Sequence, residues 1–505
     1  MSRSTKVIKN IVWDLLHQVV VILLGFLAPR FIISTYGSAV NGLSSSITQI
    51  LGIILLLQSG ATTAAVYSLY KPIADKDIEK ISRQVSATSA FFKRISYVFF
   101  VLMIIAAFLS ANHLDSTLDS KDIFIAFIIL GVRSFLDLLI SAKFRVVFTA
   151  YENKYLISVG TMIEQIIYYS MVFVTIYFKW NYLFLFIWLF LGSVIKILYF
   201  EIYYKKYYSF IKPIKIKEKK ELVPNRNYAL ANEIAHSSVI TSITIIIAFL
   251  YGLEEASVFA IYNLVFSAIY LVMTAISSSF GPSFANQYAE NDKGNETVKT
   301  FSLFQYIYEM TGIFFLLCTC FLILPFVNLY AGDIKDINYI NPPLAYLYII
   351  MMLFSLFRIP YNIVVSSCGF FKQTWLQPVI SAVLSVVISI LLGRIDYSLV
   401  LVGPIVFYLT NFLYQNIKLK KLVPHLITGK LYIMLGISII GLVSVYLFNR
   451  IVTIRVSIFS WLIMAVCVMI VSSIYLFFAS KLFLNSDLKM FIGYLTGTYK
   501  RIFKK

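Results

Sequence analysis

The stretch IVWDLLHQVVVILLGFLAPRFIISTYGSAVNGL, residues 11–43, decides how the chain is read. Its first part, 11–33, is apolar and long enough to cross the roughly 30 Å hydrocarbon core of a bilayer as a helix. A Tyr36-Gly37 turn signal closes that run, and a second apolar run starts within a few residues. Asp14 and His17 interrupt the first run at a spacing that puts both on one helix face. Much later the chain reads AFLYGLEEASVFAIYNL, residues 248–264, where Tyr251-Gly252 again separates two apolar runs. Glu233 and His236, in NEIAHS upstream of it, repeat the acid–x–x–His spacing.

The surrounding composition fixes the solvent. The 505 residues are 60% hydrophobic and 13% charged, with a mean hydropathy of +0.83. Soluble domains carry about 25% charged residues, so this is an integral membrane protein. Alternating ten-residue segments are absent, which selects helices over a barrel. The chain reads as an all-α, polytopic membrane protein with about fourteen transmembrane helices. They are expected at 11–33, 41–65, 95–111, 123–142, 156–178, 182–203, 227–250, 257–280, 301–329, 343–366, 375–392, 398–417, 430–448 and 456–480. The first run lacks a small-residue cleavage site and is read as a span, not a signal peptide. Cys318, Cys320, Cys368 and Cys467 all fall in apolar segments and read as packing residues. No metal and no cofactor are expected.

A net charge of +19 raises the question of nucleic acid. Loop by loop, however, the charge follows membrane topology. With the N-terminus in the cytoplasm, the outer loops hold only Lys121, Lys179, Lys335, Arg394, Arg450 and Arg455 of the 43 Lys and Arg. Most of the rest lie in inner segments, as the positive-inside bias requires. Both termini are therefore expected to be cytoplasmic, and nucleic acid is not an expected partner.

The two halves of the chain match. Tyr36-Gly37 pairs with Tyr251-Gly252, and LYKPIADKD (69–77) with ANQYAENDK (285–293). VVFTAYENK (146–154) pairs with VVSSCGFFK (364–372), and Asp14/His17 with Glu233/His236. The four separations run only from 215 to 219 residues, which argues for duplication. An even number of spans per copy makes the two repeats parallel. The expected organisation is a six-helix lobe (1–203), a Lys-rich cytoplasmic linker (204–226), a second six-helix lobe (227–421), and two extra helices with a basic cytoplasmic tail (422–505).

Two six-helix lobes, a Tyr-Gly turn after the first span of each, and two extra C-terminal helices resemble the polysaccharide flippases. These belong to the multidrug/oligosaccharidyl-lipid/polysaccharide exporter (MOP) superfamily. GFLAPRFIISTYGSAVNGL, with Arg30 before the turn, and LYKPIADKDIEKI (69–81) after span two are similar to the start of that family. The resemblance implies an alternating-access transporter in the bacterial cytoplasmic membrane. It would flip undecaprenyl-diphosphate-linked oligosaccharide from the inner to the outer leaflet for capsule, O-antigen or exopolysaccharide synthesis. It would work as a monomer among membrane lipids, alongside polymer-biosynthesis enzymes, with H+ or Na+ as the coupling ion.

An ionised diphosphate crossing hydrocarbon needs a cationic chamber, and guanidinium groups suit phosphate oxygens. The candidate diphosphate-binding residues are Arg30, Arg133, Arg358 and Lys196. Three of them have a plainer reading. Arg133 can pair with Asp137 one turn away, Lys196 can snorkel to the inner surface, and Arg30 can snorkel outward. Arg358, beside Pro360, has no acid near it in sequence and the strongest claim to a cavity.

Asp14, His17, Glu233, His236, Glu164 and Glu309 are the candidates for gating or ion coupling. The two acid–His pairs open the first helix of each lobe. They read as a proton-coupling station, as a polar latch, or as groups solvated at the headgroups. Glu164, Glu309 and the 16% aromatic content keep a cation-coupled multidrug antiporter open as the alternative. No Walker-type phosphate loop and no nucleophile–base constellation in a loop is present, so enzyme activity is not expected.

Overall fold

The computed structural model describes residues 3–503 apart from 59–60, 115–116, 215–225, 291–293, 428 and 452–456. The described residues are helical almost throughout and include no strand. The first half runs α1 (Arg3–Tyr36), α2 (Ser38–Leu55), α3 (Ala61–Ala74), α4 (Ile78–His113), α5 (Ser120–Leu136), α6 (Ala142–Ala150), α7 (Tyr155–Tyr177) and α8 (Leu183–Tyr207). A five-residue π-helical segment, Asp137–Ser141, joins α5 to α6. The second half runs α9 (Arg226–Leu250), α10 (Leu253–Glu290), α11 (Asn295–Ala331), α12 (Pro342–Ser367), α13 (Phe371–Thr374), α14 (Leu376–Gly393) and α15 (Val402–Leu422). After it come α16 (Lys430–Ile451), α17 (Ile458–Phe483) and α18 (Asn485–Phe503). Among the described residues, fourteen helical stretches are long and apolar enough to span a membrane, one for each expected span.

The repeated motifs fold alike. The Tyr-Gly turns sit at the first helix–helix junction of each half, where Gly37 has φ 85° and Gly252 has φ 111°. A residue with a Cβ is strained in that region, so glycine makes the reversal cheap. The second anchor is equally concrete. After α6, Glu152 takes φ 61° and the Asn153 N–H donates to the Phe148 carbonyl at 2.8 Å. After α12, Gly369 takes φ 72° and the Phe370 N–H donates to the Val365 carbonyl at 2.9 Å. Both are left-handed helix caps with the same closing bond. Their separation is one residue shorter than the alignment of VVFTAYENK with VVSSCGFFK implies. Of the ANQYAENDK anchor, residues 291–293 lie outside the described residues.

The chain divides into two compact units, Met1–Ala260 and Ile261–Lys505. The boundary falls inside α10, not at the Lys-rich linker, most of which (215–225) lies outside the described residues. The cause is the packing of α9 and the start of α10 against α2. Gly42 of α2 leaves no space for a side chain, since a Cβ there would lie 1.7 Å from the Leu253 carbonyl oxygen. Beside it the Asn41 amide donates to Ser257 Oγ at 2.8 Å, and the Thr117 hydroxyl donates to Glu254 at 3.1 Å.

Within unit 1, α7 and α8 interlock through small residues. Gly160 of α7 makes room for the Phe200 ring, and Gly192 of α8 lies against the backbone of Glu164. Small residues at such crossings let helices approach closely, the usual basis of association in lipid. Tyr36 ties the end of α1 to the α7–α8 connection, donating to the Trp180 carbonyl at 2.8 Å. In unit 2, α11 and α12 are the most enclosed spans. Pro29, Pro325 and Pro360 lie inside helices. Pro378 and Pro404 instead sit in the first turns of α14 and α15, where a missing N–H breaks no helical bond.

Gly37→Ala and Gly252→Ala should each destabilise the folded protein by about 1–3 kcal/mol, the cost of a side chain in that backbone region. Gly436→Ala, in α16 with open space around it, should be neutral or mildly stabilising. Thermal unfolding in detergent measures all three, and equal melting of all three would refute the turn assignment.

Candidate functional site

The main concentration of charge among the described residues within the bilayer-crossing helices lies in unit 1. Glu164 of α7 is 1% exposed and holds two cations. Arg133 of α5 donates through Nε at 3.0 Å and Nη2 at 2.6 Å to Glu164 Oε1. Lys196 of α8 reaches Glu164 Oε2 at 2.7 Å and Asp137 Oδ1 at 3.0 Å. Asp137 is in turn paired with Arg145 of α6. The order Arg133, Glu164, Lys196, Asp137, Arg145 alternates in sign and joins α5, α6, α7 and α8.

The electrostatics follow from the setting. Each group alone in hydrocarbon costs at least about 2.5 kcal/mol, so none would be stable there unaccompanied. A buried pair offers little net stability against an apolar replacement, but removing one partner strands the other. The network carries three cations and two carboxylates, a surplus of one positive charge. Arg133 and Arg145, at the two ends of the network, are partly exposed, 28% and 24% against 6% for Lys196.

Two sequence expectations change here. The Arg133–Asp137 pair one turn apart does not form: Arg133 turns to Glu164, and Asp137 is taken by Lys196 and Arg145. Lys196 does not snorkel, because it is buried between two carboxylates. Arg145, counted from sequence as an inner-loop residue, belongs to the network. Eight residues beyond Asp137, a regular helix would turn it about 80° away. The π-helical segment absorbs one residue and restores the shared face. Its only trace in the sequence is a basic residue beyond an acid that has a nearer basic neighbour.

The other candidates lie apart from this network. Asp14 accepts from Ser158 Oγ at 3.1 Å and lies 3.6 Å from Lys154 Nζ, so α7 engages it. His17 is half-buried on α1. On α9, Glu233 is exposed and His236 is half-buried. Arg30 is half-buried one residue after Pro29.

In unit 2, Arg358 of α12 is 4% exposed, its guanidinium carbon 5.6 Å from the centre of the Tyr408 ring. Glu309 of α11 is 1% exposed. Its Oε1 accepts from the Gln305 amide at 2.9 Å, and that amide also lies 3.2 Å from the Tyr361 hydroxyl. Glu309 Oε2 has no hydrogen-bond partner among the described residues. No group of three or more His, Cys, Asp or Glu suited to a metal occurs among the described residues.

No family model matches the chain, and no curated protein matches it in sequence. Solved structures match it by fold. An inward-facing multidrug resistance MATE family transporter of the MOP superfamily superimposes with TM-score 0.64 at 13% identity, over 81% of this chain and 98% of that one. The lipid II flippase MurJ, in an inward closed conformation, superimposes with TM-score 0.62 at 15% identity, over 95% of this chain and 99% of that one. A MOP superfamily transporter from Pyrococcus furiosus, noted for the reverse polarity of its binding pocket, gives 0.53 at 12% identity, over 82% and 95%. The chain therefore has the fold of the MOP-superfamily transporters and is a multi-pass membrane protein.

Glu164→Gln should destabilise the protein by about 3–5 kcal/mol, because Arg133 loses the carboxylate it pairs with and the buried Lys196 keeps only Asp137. Adding Lys196→Met should recover part of that loss, since one stranded charge goes with it. Thermal unfolding of the single and double variants measures the coupling, and strict additivity would refute the network.

Proposed function

We propose that the protein is a flippase for undecaprenyl-diphosphate-linked oligosaccharide in a bacterial plasma membrane, serving surface-polysaccharide synthesis. The observation that carries this reading is the positive surplus of the intramembrane charge. Three cations face two carboxylates in unit 1, and the two arginines that end the network are partly exposed. A net positive interior repels a cationic drug and attracts a diphosphate. The coverage of the two fold matches supports the same side. The flippase accounts for 95% of this chain and the MATE transporter for 81%, a shortfall comparable in size with the two C-terminal spans.

In this reading the lipid tail stays in the bilayer while the diphosphate is held within the protein. Arg133 and Arg30 offer guanidinium groups with exposed surface. In unit 2, Arg358 is the candidate for the same role, and in unit 1 Lys196 keeps Glu164 and Asp137 from repelling the substrate. Alternating access by the six-helix repeats at 1–203 and 227–421, joined by the linker at 204–226, carries the substrate across. The Asp14/His17 and Glu233/His236 pairs stand near the expected cytoplasmic ends of α1 and α9 and serve as the gate or proton station.

The alternative is a cation-coupled multidrug antiporter, and Glu309 favours it. A buried carboxyl with a free oxygen and only amide and phenol neighbours suits a cation or a proton. The two readings respond differently to mutation.

In a strain lacking the gene, Arg133→Gln and Arg358→Gln should fail to restore surface polymer, while Glu309→Gln retains at least part of it. An antiporter would show the opposite pattern: drug resistance lost with Glu309→Gln and kept with the Arg variants. Full restoration of polymer by both Arg variants would defeat the flippase assignment.

Replacing His17 and His236 together by Gln should flatten the pH dependence of transport between about pH 5 and 8, where imidazole titrates. A transport assay in vesicles of fixed lumen pH reads this directly. An unaltered profile would leave the pairs as a latch only.

A further inference from the structure

Unit 2 contains a buried hydroxyl that the chain itself does not use. Tyr308 of α11 is fully buried, and its hydroxyl has no hydrogen-bond partner among the described residues. Buried polar groups are as a rule bonded to protein, to water or to an ion, so an unpaired one marks a place where something else binds.

The groups around it are of one kind. Tyr308 lies within electrostatic reach of the Arg358 guanidinium on α12 and of the Tyr270 hydroxyl on α10. Tyr408 of α15 is in reach of the same two groups and hydrogen-bonds Ser355. Its ring centre stands 5.6 Å from the guanidinium carbon. Arg358, Tyr408 and Ser355 are all buried, and Tyr270 is half-buried. Four helices of unit 2 thus supply one guanidinium and three phenols, each able to donate a hydrogen bond. The carboxyl in reach of Tyr308 is Glu309, next in sequence. It projects about 100° further round α11, and its Oε1 accepts from Gln305, whose amide lies beside Tyr361.

We propose that these donors hold a small inorganic anion of the chloride class, bound between Arg358 and the hydroxyls of Tyr308 and Tyr408. Guanidinium and hydroxyl groups meet an anion through charge-assisted hydrogen bonds, and the ion supplies the acceptor that Tyr308 lacks. Burial sets the size. A pocket closed on this scale suits a single ion better than a headgroup carrying a lipid and a sugar. The inference does not rest on which substrate is moved. A resident ion and a diphosphate are rivals for the one charge of Arg358, and an ion there leaves the diphosphate to unit 1.

The test is thermal unfolding of the full chain in detergent at constant ionic strength, with chloride replacing gluconate, an anion too large for the pocket. Chloride should raise the unfolding temperature with the logarithm of its concentration once that exceeds Kd, as a ligand of the folded state does. Tyr308→Phe keeps the ring and the net charge and removes only the unpaired hydroxyl. It should raise the chloride Kd at least about tenfold, the worth of a hydrogen bond to a charged group. Tyr306→Phe, on the side of α11 that meets Phe491, should leave Kd unchanged. No rise over gluconate, or the same Kd in Tyr308→Phe, would overturn the site and leave the hydroxyl to water. Stabilisation by pyrophosphate but not chloride, weakened in Tyr308→Phe, would overturn the resident ion in favour of the diphosphate.

Discussion

Unit 1 depends on one carboxylate. Glu164 sits at a close crossing of α7 and α8, where Gly192 lies against its backbone, and it takes both Arg133 and Lys196. Without it Arg133 would lose its carboxylate and the buried Lys196 would keep only Asp137. With it, four helices are joined by polar contacts of fixed geometry instead of by apolar surface, which lipid tails match equally well. The network is therefore a statement of which helices must be neighbours more than a source of net stability. Its surplus charge follows from the same economy: an odd number of groups in an alternating order leaves one sign in excess.

The fold was legible because the membrane simplifies the code. Each span had to be a long apolar run, and each run longer than a few turns could only be a helix. The Tyr-Gly repeat was legible for a further reason. Gly37 and Gly252 occupy backbone conformations that other residues adopt at a cost, so the turn leaves a mark in the sequence. The cap after α6 was harder to see. Glu152 takes the left-handed conformation there without being glycine, while its counterpart Gly369 advertises it. That difference hid a one-residue shift in the pairing of the two repeats.

The site was only partly legible. Four of the five network residues, Arg133, Asp137, Glu164 and Lys196, were visible in the sequence, since a charge inside an apolar run is conspicuous. Sequence reasoning paired them wrongly, because local spacing favoured Arg133 with Asp137 and knew nothing of α7. The true partner lies 31 residues away and is selected by the close crossing of helices. Arg145 escaped for a different reason. Its alignment with Asp137 depends on a π-helical segment, and one residue of extra winding leaves no compositional trace. The contact division within α10, and not at the Lys-rich linker, has the same origin: Gly42 admits a backbone contact that composition does not display.

The two ends of the polar inventory complement each other. In unit 1 every buried carboxylate meets a cation, so the surplus is positive and held rigidly among four helices. In unit 2 the reverse holds locally: Glu309 has an amide and a phenol near it and an oxygen left over. A protein that only needed to stay folded in lipid would have replaced both sets with apolar residues, at no cost in stability and with gain in some cases. Unit 2 is itself mixed: Arg358 is buried there and the buried Asp487 meets Lys430, so Glu309 is its one buried carboxyl with an oxygen left unbonded among the described residues.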